Sequence, residues 1–210
     1  AYVGSNMTKL YAADYAQLEM RILAHFSGDQ SLITAIRSGQ DVHTSTASKM
    51  FKVPYEDIMA ARKKDDDGEE LTAYEKRLLK HRKGAKAINF GLMYGQGSGR
   101  LELIRQYFAA FPKITKYFKS AIKEASELEY CTTILGRRRQ VPGLNSNIRA
   151  DRGNAERQVK NSPIQGTAAD ITKMAMIRLW EDPLIEASVA KMVIQVHDEI
   201  VFEVPDEFVE

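Results

Sequence analysis

Near the C-terminus two apolar runs, residues 192–196 and 200–204, flank the polar triplet His197, Asp198 and Glu199. Short runs of Met, Val, Ile and Phe with a polar break between them predict two antiparallel strands joined as a hairpin, with acids at its tip. A further strand is expected at 9–14 (KLYAAD), which ends on Asp14. Helical patterns fill most of the sequence between these strands. The expected class is therefore α+β, with a small antiparallel sheet.

The helical patterns are individually legible. Residues 17–26 carry Leu18, Ile22 and Phe26 on one side. Residues 31–37 and 42–51 read as two further helices, split by Ser38 and Gly39. Residues 63–72 (KKDDDGEELT) have no apolar periodicity and are expected as an exposed loop. A long helix is predicted over 73–94, then another pattern over 101–129 with a bend near Pro112. Residues 130–135 favour β structure, and Gly136 with 137–139 predicts a basic turn. Helical segments broken near Pro163 are expected over 154–180. There is no internal repeat or low-complexity tract.

Composition removes several classes of function. A single cysteine, Cys131, excludes an internal disulfide and argues against a small secreted scaffold. No apolar run approaches the ~20 residues of a membrane span, and no signal-peptide pattern opens the sequence. A soluble, cytoplasmic protein without a membrane partner is the expectation. The formal net charge of +2 hides an uneven distribution. Residues 75–86 hold six Lys/Arg against Glu75, and 137–160 hold seven against Asp151 and Glu156. Between them lies an acidic block of Asp65, Asp66, Asp67, Glu69 and Glu70. Basic clusters on a near-neutral chain suit a local polyanion site, and they equally suit solvated helix faces.

Three constellations have chemical potential. Asp14 closes a predicted strand and Asp198 sits at the hairpin tip, where a carboxylate is exposed yet held by a rigid scaffold. Two such acids on neighbouring strands could hold divalent cations through oxygen, as Mg²⁺ prefers, and a cation pair suits phosphoryl transfer. Arg82, Lys86, Phe90 and Tyr94 recur every four residues and share one helix face. Two cations there could hold a triphosphate, and two aromatics could stack on sugar and base. Gly91 and Gly95 beside them would permit close approach to the backbone. The same line also suits an amphipathic helix with core aromatics and surface cations. Arg157, Asn161 and Gln165 repeat the spacing with groups that bind phosphate and base edges, or form a polar face.

Taken together, these segments resemble the family A DNA polymerases, the DNA polymerase I group. Asp14-Tyr-Ala-Gln-Leu-Glu-Met-Arg21 is similar to that family's motif A. Arg82-Lys-Gly-Ala-Lys86-Ala-Ile-Asn-Phe90-Gly-Leu-Met-Tyr94-Gly95 is similar to motif B, and Gln195-Val-His-Asp-Glu199 to motif C. Residues 155–170, with Asn161 and Gln165, resemble the segment preceding motif C. The motifs occur in the family's order and span nearly the whole sequence.

The resemblance implies a right-hand polymerase fold and a role for each matching residue. Asp14 and Asp198 would bind two Mg²⁺ ions, with the Tyr15 carbonyl as a further ligand. Arg82 and Lys86 would hold the triphosphate of a deoxynucleoside triphosphate, with Gln17 and His43 nearby. Glu19 would crowd the sugar 2′ position and exclude ribonucleotides. Phe90 would pack on the incoming sugar, and Tyr94 would guard the template-base position. As Phe where some relatives have Tyr or Leu, residue 90 implies discrimination against dideoxynucleotides. Arg157, Asn161 and Gln165 would contact primer–template DNA, and His197 and Glu199 would lie at the primer terminus. The function implied is template-directed DNA synthesis in replication or repair, in a bacterial cell, a phage-infected host or an organelle; replisome partners stay open.

Against the family pattern, thumb, exonuclease and part of the palm are missing. The resemblance therefore implies a fragment: palm with motif A over 1–30, fingers with motif B over 31–130, and palm with motif C over 131–210. The 53–81 stretch is longer than compact members require, and its acidic loop 65–70 reads as an insertion. Two other functions stay open: a catalytically inactive DNA-binding fragment, and a single-subunit RNA polymerase, against which Glu19 argues.

Overall fold

A computed structural model describes residues 8–94 and 101–208. In chain order its elements are β1 (Thr8–Asp14), α1 (Leu18–Ser27), α2 (Gln30–Arg37), α3 (Val42–Phe51), α4 (Tyr55–Asp66), α5 (Ala73–Tyr94), α6 (Leu101–Ala110) and α7 (Pro112–Leu128). There follow β2 (Tyr130–Thr132), β3 (Arg138–Gln140), α8 (Arg149–Trp180), α9 (Pro183–Ala187), β4 (Lys191–Val196), β5 (Glu199–Pro205) and a 3₁₀ turn, Asp206–Phe208.

Local chemistry sets many of these boundaries. Asp29 caps α2 by accepting from the Ser31 and Leu32 amides, and Asp41 caps α3 through the Thr44 amide at 2.7 Å. Gly28 ends α1 in the left-handed conformation, with φ of 61°. Pro112 opens α7, where its missing N–H is no loss, and so produces the expected bend after α6.

The main core gathers Leu18, Met20 and Leu23 of α1 with Leu32, Met50, Ile58, Leu78, Tyr107, Ile114 and Phe118 from the following helices. Ile164 joins α8 to this core. Ala125, Cys131, Val141, Leu144, Ala155 and Val159 form a second, smaller cluster beneath β2. The three-stranded sheet has the order β1-β5-β4 and is antiparallel throughout. Ile200 and Phe202 on β5 are buried, while Leu10, Tyr11, Ile194 and Val196 stay largely exposed.

Four local expectations need correction. The acidic loop is shorter than the composition suggests, because α4 runs through Lys63, Lys64, Asp65 and Asp66. Buried Ile58 and Ala61 hold that helix down, and an Arg62–Asp66 pair at 3.6 Å lies along its exposed side. A polar stretch lacks an apolar stripe when its outward turn has nothing to pack against. Second, Arg138 and Arg139 lie in β3 rather than in a turn. The reversal occurs before them, at Gly136, whose φ of 83° favours glycine. Third, α8 is unbroken over 32 residues with Pro163 inside it. Ser162, Pro163 and Ile164 are buried together, so packing carries the helix past one missing hydrogen bond. Fourth, the hairpin loop is only His197 and Asp198. Glu199 already belongs to β5 and pairs with both Val196 and Asp14.

Candidate active site

Strand register brings the two acids of the first constellation together. β1 pairs with β5 so that Asp14 lies opposite Glu199, the first residue after the hairpin loop. The Tyr15 amide donates to the Asp198 carbonyl at 3.4 Å, tying the end of β1 to the tip. The Gln195 side chain donates to the His197 carbonyl and braces the tip from within β4. Among the described residues neither Asp14 nor Asp198 has an ion-pair partner.

A cleft of about 450 Å³ opens beside this tip, lined by Gln17, Glu19, Phe90, Gln165, His197 and Asp198 together with Leu18, Met20, Ala168 and Ala169. That volume suits a small-molecule ligand. Five non-glycine residues among those described have positive φ, and two of them line the cleft: Gln17 at 55° and His197 at 54°. Left-handed backbone at such residues persists only where surroundings enforce it, and it gathers at functional sites. Here Arg21 contributes by donating to the Ala16 carbonyl at 2.8 Å, across the turn between β1 and α1.

Earlier on α5 the cations Arg82 and Lys86 form a second group with His43 of α3. The Arg82 guanidinium grips Asp41, with Nη2 at 2.9 Å from Oδ2, and donates to Thr44 Oγ1 at 3.0 Å. Burial works to raise the Asp41 carboxyl, but the hydrogen bonds from Arg82 and Thr44 outweigh it and hold it below the usual carboxylate range. Lys86, one turn on, is exposed. His43 is buried, and its ring lies 5.3 Å from that of Phe90. Burial, followed by the Arg82 and Lys86 charges, pushes His43 down to about 4 against the opposing pull of Asp41. At neutral pH its imidazole is therefore uncharged. Asn89 and Thr46, both buried, complete the polar group around it.

The expected residues thus fall into places of unequal kind. Gln17, Glu19, Phe90, Gln165, His197 and Asp198 share the cleft, while Asp14, Tyr15 and Glu199 join the Asp198 tip through strand pairing and the Tyr15–Asp198 backbone bond. Arg82, Lys86 and His43 lie on the adjoining faces of α3 and α5. Asn161 and Arg157 sit one and two turns back from Gln165 on α8. Asn161 Oδ1 is buried with no partner among the described residues, and Arg157 donates to Asn154. The Tyr94 side chain and Gly95 lie outside the described residues. Sequence reasoning gave no role to Asp41, Thr44, Thr46 or Asn89. For Asn89 the available signal was its position inside the motif B segment, immediately before Phe90.

Comparison with known proteins gives a consistent result. The family model of DNA polymerase family A matches residues 1–210. The thermostable DNA polymerase I of Thermus aquaticus is 38% identical over 219 residues, which covers 99% of this chain and 24% of that protein. DNA polymerase I of Streptococcus pneumoniae is 42% identical over 208 residues, covering 93% of this chain and 22% of that protein. The chain thus spans about a quarter of the length of the curated relatives it matches. A solved structure described as the POL domain of Pol1 from M. smegmatis, in complex with DNA primer-template and dNTP, superposes with a TM-score of 0.81 at 35% identity. That match covers 98% of this chain and 35% of the other.

Proposed function

The chain belongs to DNA polymerase family A, and from that premise we propose that it performs template-directed DNA synthesis with primer–template DNA and deoxynucleoside triphosphates. In the reaction the primer 3′-oxygen attacks the α-phosphorus as the bond to the β-phosphate breaks and pyrophosphate leaves. The observation that supports this reading is the β1–β5 register, with Asp14 opposite Glu199 next to the Asp198 tip, together with a cleft lined by Asp198, Gln17, Glu19 and Phe90.

Asp14, Asp198 and the Tyr15 carbonyl would hold two Mg²⁺ ions. The fit rests on the donor set, which is all oxygen and lacks a competing cation among the described residues. Bound there, the ions would supply Lewis acidity, easing loss of the 3′-hydroxyl proton and offsetting charge on the leaving pyrophosphate. Lys86 and Arg82 bind and orient the triphosphate, and Arg82 is preset by its grip on Asp41. Gln17 and His43 donate to phosphate oxygens, while the Phe90 ring packs on the sugar. Glu19 fills the space a 2′-hydroxyl would need and so selects deoxyribose. Tyr94 guards the template-base position. Gln165, Asn161 and Arg157 track the primer–template along α8, and His197 and Glu199 orient the primer end.

The same reading divides the chain into palm, 1–30 and 131–210, and fingers, 31–130. It also suits the interior of a bacterial cell, a phage-infected host or an organelle. Among the described residues no helix is long and apolar enough to cross a membrane. Primer extension with Mg²⁺ and either four deoxynucleotides or four ribonucleotides, using the wild type and Asp198→Ala, tests the proposal. Extension that needs deoxynucleotides and vanishes in Asp198→Ala is expected. Extension unchanged in the mutant would refute the assignment.

A further inference from the structure

We propose that Asn89 is a positioning residue for nucleotide binding: with Thr46 it holds His43 as the tautomer whose proton sits on Nε2, leaving Nε2 as the nitrogen that donates to the nucleotide. The inference rests on the polymerase reading for the identity of the ligand, and on geometry alone for the tautomer.

The proton positions follow from a chain of three hydrogen bonds. Thr46 Oγ1 donates its single proton to the Val42 carbonyl at 2.7 Å. Toward Asn89, 3.2 Å away, that oxygen is therefore an acceptor. The end of the Asn89 amide that faces Thr46 must be its NH₂ group. Turned over, the amide would set its oxygen against the Thr46 oxygen with no proton between them. The same Nδ2 lies 3.0 Å from His43 Nδ1, so its second proton meets a lone pair on that ring nitrogen. A neutral imidazole accepting at Nδ1 carries its proton on Nε2.

Two further facts point to a role beyond packing. Asn89 is fully buried, and its Oδ1 has no partner among the described residues. An amide that leaves one oxygen unsatisfied in the core is a poor way to fill space. Its position also matters, since the next residue is Phe90, whose ring touches His43 and lines the cleft. Asn89, Thr46 and Val42 thus set the donor pattern of a ring that packs against Phe90 of the cleft, without any need to charge it.

The test is a long-range ¹H–¹⁵N correlation spectrum of protein labelled at histidine, with His43 assigned through His43→Gln. It is recorded with and without a deoxynucleoside triphosphate, Mg²⁺ and a dideoxy-terminated primer–template. Two variants bear on the claim. Thr46→Val keeps the shape but frees the amide to turn, and Asn89→Asp offers Nδ1 only an acceptor. In the wild type we expect an unprotonated Nδ1, a protonated Nε2, and a shift of the Nε2 signal on nucleotide addition. Thr46→Val should mix the tautomers, and Asn89→Asp should move the proton to Nδ1. Loss of one charge-assisted hydrogen bond should raise the nucleotide KM about ten-fold, with primer–template Kd little changed. A wild-type proton on Nδ1, a tautomer unmoved in Thr46→Val, or a moved tautomer with unchanged KM would each overturn the proposal. A wild type that neither extends primers nor shifts its His43 signal would overturn the polymerase reading and the nucleotide half of this one, while its tautomer still judges the hold of Asn89 on His43. Should Asn89→Asp fail to fold, Thr46→Val decides.

Discussion

At the scale of single residues, buried polar groups on α3 and α5 govern how the site responds to acid. His43 titrates near 4 in the folded chain against an ordinary 6.5, mainly because burial disfavours its charge. Between those values the unfolded chain binds a proton that the folded chain does not, so stability falls as pH drops through that window. The full shift corresponds to about 3 kcal/mol. Asp41 acts lower on the scale: its contribution is present above 3.8 and is lost as pH falls through its depressed folded value. Urea unfolding between pH 7 and pH 4.5 should show a steady loss of stability. In His43→Gln that slope should flatten, and an equal slope in both proteins would contradict the assignment. Asp14, Asp198 and Phe90 were reachable from the sequence because they sit in recognisable motifs, and His43 was reachable only through the family resemblance. The roles of Asp41, Thr46 and Asn89 were not, since their partners come from another helix and no spacing rule links residues more than forty positions apart.

At the scale of elements, the β2–β3 hairpin acts as a strap across α8 beside Gln165. Arg137 donates to Asp170 at 2.8 Å and to the Gly166 carbonyl at 2.8 Å, and the Ile134 amide donates to Thr167 at 3.0 Å. The approach is close enough that a Cβ on Gly166 would meet Thr133 Cγ2 at 2.6 Å. Gly166→Ala gains up to about 1 kcal/mol of helix propensity but overpacks at a typical cost of ~1–3 kcal/mol. The net effect expected in a urea melt is destabilisation. Thr133→Ser removes the methyl while keeping the hydroxyl that accepts from the Arg137 amide. Combined with Gly166→Ala it should restore most of the loss. No rescue would show that the strap yields elsewhere. The sequence revealed α5 and the terminal hairpin well, because long apolar rhythm and paired apolar runs are strong local signals. It misjudged Pro163, the 63–66 turn of α4 and β3, where burial or cross-strand pairing overrides local preference.

At the scale of the molecule, the candidate site exists because elements from both ends of the chain meet. β1 supplies Asp14, the hairpin at the other end supplies Asp198, and α1, α5 and α8 close the cleft between them. The α+β class and the strand-end acids followed from sequence pattern. Their adjacency was implied only by the family resemblance, because strand order and register are set by packing rather than by any local run. If Asp14 and Asp198 act as one metal-holding unit, their removal must be strongly non-additive. The decisive measurement is single-turnover primer extension by Asp14→Asn, Asp198→Asn and the double variant beside the wild type. We expect each single change to lower the rate by about a thousand-fold or more, with the double variant hardly slower than either. Measurable templated extension by either single variant at near wild-type rate, or losses that simply multiply, would contradict the shared site.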